Sequence, residues 1–263
     1  MFDLHNHLLP DIDDGARNWD MAMAMAQMAY EDGIRGMVFT PHNSAWWARY
    51  FQDKIIPLTN EFQRRIGEKG WDLQVGPGAE VYIELDVLKR LKDGRAATLN
   101  NSRYVLVELG FTTWPLYVDD VMFQLQTAGY VPVLAHPERY TAVMEKPQLM
   151  QALAERGIIG QITSGSLEGK FGSRAQKVAL LLLERNWAHY IATDAHELVN
   201  RTPTLKVAQQ ILKANFGAER ATLMTRTVPE MIFRNEEVVL ESPLEYEQPQ
   251  QRNFFGALFR RSF

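Results

Sequence analysis

The chain contains no cysteine among its 263 residues. That excludes a disulfide framework and thiolate metal sites, and leaves His, Asp and Glu as the ligands available to a metal. Long apolar runs are also missing. None approaches the roughly 18 residues of a membrane span, and Met1 to Pro10 has no basic region leading into an apolar stretch, so no signal peptide is read. A cytoplasmic location is the expectation. Charge of one sign is not in excess either: a net charge of -4 argues against a broad nucleic-acid-binding surface. Several familiar motifs are absent. Gly76-Pro77-Gly78 lacks the third glycine of a dinucleotide fingerprint, and Ser164-Gly165-Ser166 is not a nucleophile elbow. Asp11-Ile12-Asp13-Asp14-Gly15 has the wrong spacing for an EF-hand and no closing Glu in register.

What is present is 46% hydrophobic residues, ample for a packed core, in an alternation of short apolar runs and helical patterns. Strands are expected at Phe2–His5, Gly36–Thr40, Leu73–Gly78, Tyr104–Glu108, Val131–Ala135, Ile158–Thr163 and His189–Thr193. Helices are expected at Trp19–Asp32, Ser44–Lys69, Asp86–Lys92, Val118–Ala128, Pro147–Arg156, Ser173–Asn186, Pro203–Phe216 and Ala218–Thr225. Strand-then-helix repetition argues for a parallel α/β sheet or barrel with outer helices, and seven strands suit a distorted, TIM-like (β/α)7 barrel. Residues 1–241 form the expected barrel. After Glu241 a Pro- and Gln-containing linker leads to an aromatic, basic end, Phe254-Phe255-Gly256-Ala257-Leu258-Phe259-Arg260-Arg261-Ser262-Phe263. This 242–263 tail is expected to dock on the barrel or a partner, with a weak membrane-surface contact as the alternative.

Five of the six histidines follow a hydrophobic run. His5 and His7 end the first, His42 follows the second, His136 the fifth and His196 the seventh. Carboxylates fall at the same kind of point: Glu80, Glu108, Asp194 and, in the first loop, Asp14. In a parallel barrel all these positions meet at the C-terminal face. One histidine near a strand end is ordinarily a hydrogen-bonded loop residue. Nine ligand-type residues on one face need cations, because buried carboxylates without partners are costly. His189, at the opposite end of its strand, reads as structural. Three divalent ions set against Asp14, Glu80, Glu108 and Asp194 would leave two positive charges over, enough to attract a phosphate dianion to an acidic protein.

His5-x-His7, Thr40-Pro41-His42, Gly78-Ala79-Glu80, Glu108, His136-Pro137-Glu138-Arg139 and Asp194-Ala195-His196 together resemble the PHP (polymerase and histidinol phosphatase) superfamily. Leu8-Leu9-Pro10-Asp11-Ile12-Asp13-Asp14-Gly15 and Thr98-Leu99-Asn100-Asn101-Ser102-Arg103-Tyr104 look more closely like its bacterial capsular and exopolysaccharide tyrosine phosphatases, from the first residues to about Val239. The resemblance implies a PHP-fold barrel with three metals, often manganese, with iron or zinc also compatible with these ligands. It implies one metal on His5, His7, Glu80 and Asp194, a second on Glu80, Glu108 and His136, and a third on Asp14, His42 and His196. Asp14 stands where many members of the superfamily have histidine.

The expected reaction is hydrolysis of phosphotyrosine on a protein, by resemblance the tail of a bacterial tyrosine kinase that controls capsule or exopolysaccharide synthesis. Metal ions acidify water toward a pKa of about 7, and Arg139 and Arg201 are candidates for holding the phosphoryl oxygens. Trp46, Trp47, Tyr50, Phe51, Trp114 and Tyr117 are candidates for an aromatic rim, against a reading as packing residues. The competing functions are a small-molecule phosphatase of the histidinol-phosphate type and a metal-binding scaffold without catalysis. Without a basic groove, a nuclease is disfavoured.

Overall fold

The hydrophobic runs become parallel strands buried on both faces, which is why they read as continuous Val-, Ile- and Leu-rich stretches rather than as alternating ones. The computed structural model describes residues 1–44 and 51–246. Strands β1 (Phe2–Asn6), β2 (Gly36–Phe39) and β4 (Gln74–Pro77) form a sheet in the order β1-β2-β4. Strands β3 (His42–Asn43), β5 (Glu80–Tyr82), β6 (Tyr104–Glu108), β7 (Val131–Ala135), β8 (Ile159–Thr163) and β9 (Tyr190–Ala192) form a second sheet, in the order β3-β5-β6-β7-β8-β9. Every pairing is parallel.

The two sheets make one barrel. β2 runs on into β3 through Thr40-Pro41, and β4 into β5 through Gly78-Ala79, so the nine strands of the described residues make seven staves. Proline has no N–H to give to a ladder, but the Pro41 carbonyl still accepts from Glu80 N–H at 3.1 Å. The last stave returns to the first. Asn6 and Ala195 form a parallel bridge, Asp194 N–H donates to the His5 carbonyl at 2.7 Å, and His7 N–H donates to the Ala195 carbonyl at 2.9 Å. The structure is the expected distorted (β/α)7 barrel.

The larger outer helices are α1 (Trp19–Glu31), α2 (Ile56–Glu68), α4 (Val118–Thr127), α8 (Ser173–Glu184) and α9 (Lys206–Phe216). Shorter ones are α3 (Val87–Lys92), α5 (Thr141–Glu145), α6 (Gln148–Ala154), α7 (Ser164–Leu167), α10 (Ala218–Thr222) and α11 (Val228–Phe233). Helix α1 shows the sequence logic. The Asn18 side chain accepts from Met21 N–H as an N-cap, and Ala22, Met25, Ala26 and Ala29 form one buried stripe.

Alternation along the strands divides the core in two. Val105 and Val107 of β6 pack outward against the helices, while Tyr104 and Leu106 join Leu4, Val38, Val133, Ile159 and Tyr190 inside the barrel. The N-terminal end is closed by α11, whose Val228, Ile232 and Phe233 belong to the inner cluster, with Phe233 edge-on to Phe2 at 5.5 Å. Tyr104 Oη donates to the Glu236 carbonyl and Asn100 Nδ2 to the Phe233 carbonyl, locking the plug to the strand starts.

Three helix expectations change. The helix expected from Pro203 begins at Lys206, because the Asp32 carboxylate accepts the Leu205 and Lys206 N–H groups at 2.6 and 2.9 Å and fixes the start there. The helix expected over Ala218–Thr225 stops at Thr222, and a wide turn, Leu223–Thr227, carries the chain into α11. Of the helix expected over Ser44–Lys69, α2 is preceded by a wide turn at Phe51–Ile55, and residues 45–50 lie outside the described residues. The stretch read as a linker begins against the barrel: Leu244 N–H donates to the Arg185 carbonyl and Trp187 Nε1–H to the Leu244 carbonyl. Residues 247–263 lie outside the described residues.

His189 sits buried at the start of β9, where Gly160 N–H donates to its Nδ1 at 3.1 Å. Burial pushes its pKa down to about 4, with the Arg220 charge adding to the shift. The unfolded chain therefore takes up this proton first. The stability due to neutral His189 is complete above its ordinary value of 6.5 and is lost as pH falls toward 4. Denaturant titrations of wild type and His189→Gln across that window should differ in slope by about 1.4 kcal/mol per pH unit, with the variant the flatter; parallel curves would contradict the assignment.

Candidate metal centre

The C-terminal strand ends bring together His5, His7, His42, Glu80, Glu108, His136, Asp194 and His196, and the first loop adds Asp14. That loop is pressed onto the site. Ala16 N–H donates to the His7 carbonyl at 3.0 Å, and a Cβ at Gly15 would lie 2.0 Å from the same oxygen, so no other residue fits there. Two ligand-type residues occupy the left-handed region, His136 at φ 33° and Asp194 at φ 50°. Neither residue adopts this conformation freely, and its cost is carried by the surrounding packing.

Glu80 is the hub. Its Oε1 lies 2.8 Å from His136 Nε2 and 3.2 Å from His5 Nε2, and its Oε2 lies 2.9 Å from His42 Nδ1 and 3.5 Å from His7 Nε2. Glu108 stands 3.6 Å from His42 and 4.0 Å from His136. Asp194 Oδ1 lies 3.4 Å from His7, 3.5 Å from His5 and 3.6 Å from His196. Asp14 Oδ1 lies 3.2 Å from His196 Nε2 and 3.4 Å from His42 Nε2.

Ligand atoms within 4.8 Å of one another fall into four overlapping groups. These are His7, Asp14, His42 and His196; His5, His7 and Glu80; His5, His136 and Asp194; and His42, Glu80 and Glu108. The expected third set, Asp14, His42 and His196, appears whole. His5, His7 and Glu80 of the first appear together. In the second, Glu80 and Glu108 group with His42, while His136, although 2.8 Å from Glu80, groups with His5 and Asp194.

The donor set fits divalent cations for a reason beyond proximity. His5 Nδ1 faces Gln161 Oε1 at 2.9 Å, His7 Nδ1 faces Asp13 Oδ2 at 2.7 Å and His196 Nδ1 faces the Asp194 carbonyl at 3.0 Å. An N–H donated outward from each ring leaves the Nε2 lone pair pointing inward, the tautomer a metal requires. Glu80 Oε2 and His196 Nε2 are buried without a hydrogen-bond partner, although other ligand atoms lie within reach. Such atoms converge on a shared cation rather than on each other.

Electrostatics agree. Burial opposes charge on Glu80, yet His5, His136 and His42 hold it well below the usual carboxylate range. Burial likewise opposes charge on Asp194, and His5 and His7 outweigh it. His7 is pushed well above its ordinary value, since Asp13, Asp194 and Glu80 overcome its desolvation. The cluster stays ionised only while positive charge stands among the carboxylates.

Arg139 and Arg201 arrive at the same place. Both donate to Asp194 Oδ2, Arg201 at 2.7 Å, so one carboxylate faces the imidazoles with one oxygen and the guanidiniums with the other. The loop after β9 folds back to achieve this, with His196 N–H donating to the Arg201 carbonyl at 2.9 Å. Of the expected rim, Trp46, Trp47, Tyr50 and the Phe51 side chain lie outside the described residues. Trp114 and Tyr117 pack against the outer core.

Sequence reading missed four supporting residues. Asp13 accepts from His7 and from the Gly15 and His42 N–H groups. Gln161 interrupts the apolar strand β8 and is fully buried, which was the available signal. Asp3, also fully buried, accepts from the Thr193 N–H and hydroxyl beside Asp194. Arg90, fully buried, ties the Asn43 and Tyr82 carbonyls just beyond His42 and Glu80.

A parallel barrel with a histidine–carboxylate cluster at its strand ends defines a metal-site α/β-barrel protein. The particular family follows from comparison. The model of the capsular polysaccharide synthesis family CpsB/CapC matches residues 1–234, and the chain belongs to that family. It is 34% identical over 260 residues to the tyrosine-protein phosphatase YwqE of Bacillus subtilis (strain 168), covering 97% of this chain and 99% of that protein. It is 31% identical over 226 residues to the tyrosine-protein phosphatase CpsB of Streptococcus pneumoniae, covering 84% and 93%. A solved structure, from work on YwqE and CpsB as unique metal-dependent tyrosine phosphatases, superposes with a TM-score of 0.89 at 33% identity, covering 94% of this chain and 100% of that one.

Because Asp13 orients His7, Asp13→Ala should lower metal affinity by about 10- to 100-fold with the fold retained. Competition against a chelator with metal-sensitive readout checks this; an unchanged affinity would remove Asp13 from the site.

Proposed function

We propose that this protein is a metal-dependent protein-tyrosine phosphatase, acting on a phosphorylated bacterial tyrosine kinase of the capsule or exopolysaccharide machinery. The observation that carries this reading is the Asp194 carboxylate, which joins the imidazole cluster on one side to Arg139 and Arg201 on the other. An anion recognised by guanidinium groups and attacked beside a cation cluster is a phosphate ester. The named activity of the relatives supports the tyrosine phosphoester in particular.

The residues have distinct tasks in this reading. His5, His7, Glu80 and Asp194 would hold one divalent ion, Glu80, Glu108 and His136 a second, and Asp14, His42 and His196 a third, with manganese the preferred metal. These ions supply Lewis acidity and an acidified water when bound. Arg139 and Arg201 orient the phosphoryl oxygens, and Asp194 fixes both guanidiniums in advance. The phenolate leaving group, with a pKa near 10, departs without a dedicated general acid. Residues 1–241 are the catalytic barrel and 242–263 a tail for surface or partner contact. The proposed location is the cytoplasm; among the described residues no helix is long and apolar enough to cross a membrane.

With manganese present, the protein should turn over a phosphotyrosine peptide with a higher kcat/KM than histidinol phosphate; the reverse order would replace the substrate class. A chelator should abolish the activity and metal should restore it. Arg201→Lys should lower kcat by about 100-fold or more with metal content unchanged. Metal-loaded wild type without turnover on either ester would leave the scaffold reading in its place.

A further inference from the structure

The Arg139 guanidinium lies over two aromatic rings, with its central carbon 4.6 Å from the Phe111 centroid and 4.3 Å from that of Phe171. Cation–π contact with two rings fixes where the guanidinium sits. One edge donates to Asp194. The remaining edge is left for the phosphoryl group, which confines where the ester must lie.

Phe171 is seated by the turn after α7. A Cβ at Gly165 would lie 2.9 Å from Phe171 Cε2, so the missing side chain is the space the ring needs. Phe111 is placed differently. Its carbonyl accepts from Thr141 N–H at 2.8 Å, and the neighbouring Leu109 N–H donates to Tyr140 Oη at 2.9 Å. Its ring lies 5.5 Å from the His136 ring at 33°. Despite these contacts Phe111 remains 41% exposed. A large apolar ring held rigidly beside a phosphate-binding arginine and a metal-ligand histidine, and still open to solvent, is a platform awaiting an occupant.

We propose that Phe111 is a specificity-determining residue that receives the aromatic ring of the substrate, and that Phe171 is a positioning residue acting through Arg139. This rests on the phosphatase reading above. In an aryl phosphate the ring begins one oxygen from phosphorus, so a phosphoryl group on the Arg139 edge sets the aryl ring at Phe111. An alkyl phosphate finds the same charge without the platform. Aromatic pairing of this kind contributes about 0.5–1.5 kcal/mol, a factor of about 2 to 12.

The test is calorimetric binding of phenylphosphonate and methylphosphonate, neither of which is hydrolysed, to the metal-loaded full-length protein. Wild type should prefer phenylphosphonate. Phe111→Leu should weaken phenylphosphonate by about 2- to 12-fold more than it weakens methylphosphonate. Phe111→Trp should keep the preference, and Phe171→Leu should weaken both ligands together. Equal weakening of both ligands by Phe111→Leu, no change in either, or a Phe111→Trp protein without the preference overturns the proposal. The outcome is separable from the activity reading: a phenyl preference lost in Phe111→Leu stands even where phosphotyrosine peptide is not turned over.

Discussion

Glu80 and Asp194 are carboxylates buried among imidazoles, and the remainder of the molecule is organised around keeping them charged there. Removing a carboxylate from water costs several kcal/mol, roughly, unless cations and hydrogen bonds take the place of solvent. Parallel strands solve the problem geometrically, because every stave delivers its C-terminal residue to one face. The interior below that face is apolar, with Leu4, Val38, Leu106, Val133 and Ile159 in contact, so the charges have nowhere to spread. Field and ligand converge on one small volume, and a divalent ion there is worth far more than it would be in water.

A layer of fixed acceptors surrounds the ligands. Asp13, Gln161 and the Asp194 carbonyl each take one imidazole N–H and so decide which ring nitrogen faces inward. Asp3 and Thr193 brace the strand turn that throws Asp194 into its left-handed conformation. The geometry is set before any ligand arrives, which is the condition for electrostatic stabilisation without reorganisation.

Much of this was legible in the sequence, and the parts that were not share a cause. Strands β6 and β7 have the expected boundaries because β-branched runs flanked by turns permit little else. The nine ligand-type residues were legible because strand ends carry few histidines and carboxylates by accident. Of the two broken staves only the first halves were read, ending at Thr40 and Gly78; the short strands His42–Asn43 and Glu80–Tyr82 beyond the interruptions have too few residues to show a pattern. Asp13 sat in a run of acidic residues with nothing to rank it above its neighbours. Phe111 and Phe171 are 60 positions apart in the chain numbering and meet only across Arg139. Contacts made through a third residue leave no periodicity behind.

The filled floor of the barrel has a kinetic meaning. With α11, Phe2 and Phe233 packed across the N-terminal end, the described residues close the barrel interior on that side. Whatever enters over the strand ends leaves by the same mouth. On the proposed reading, a phosphate freed beneath a bound protein substrate would be held behind that protein until it departs, and the architecture then sets the order: the large product first, the small anion second. The tighter the arginines grip the anion, the more the reaction cycle comes to be timed by its release.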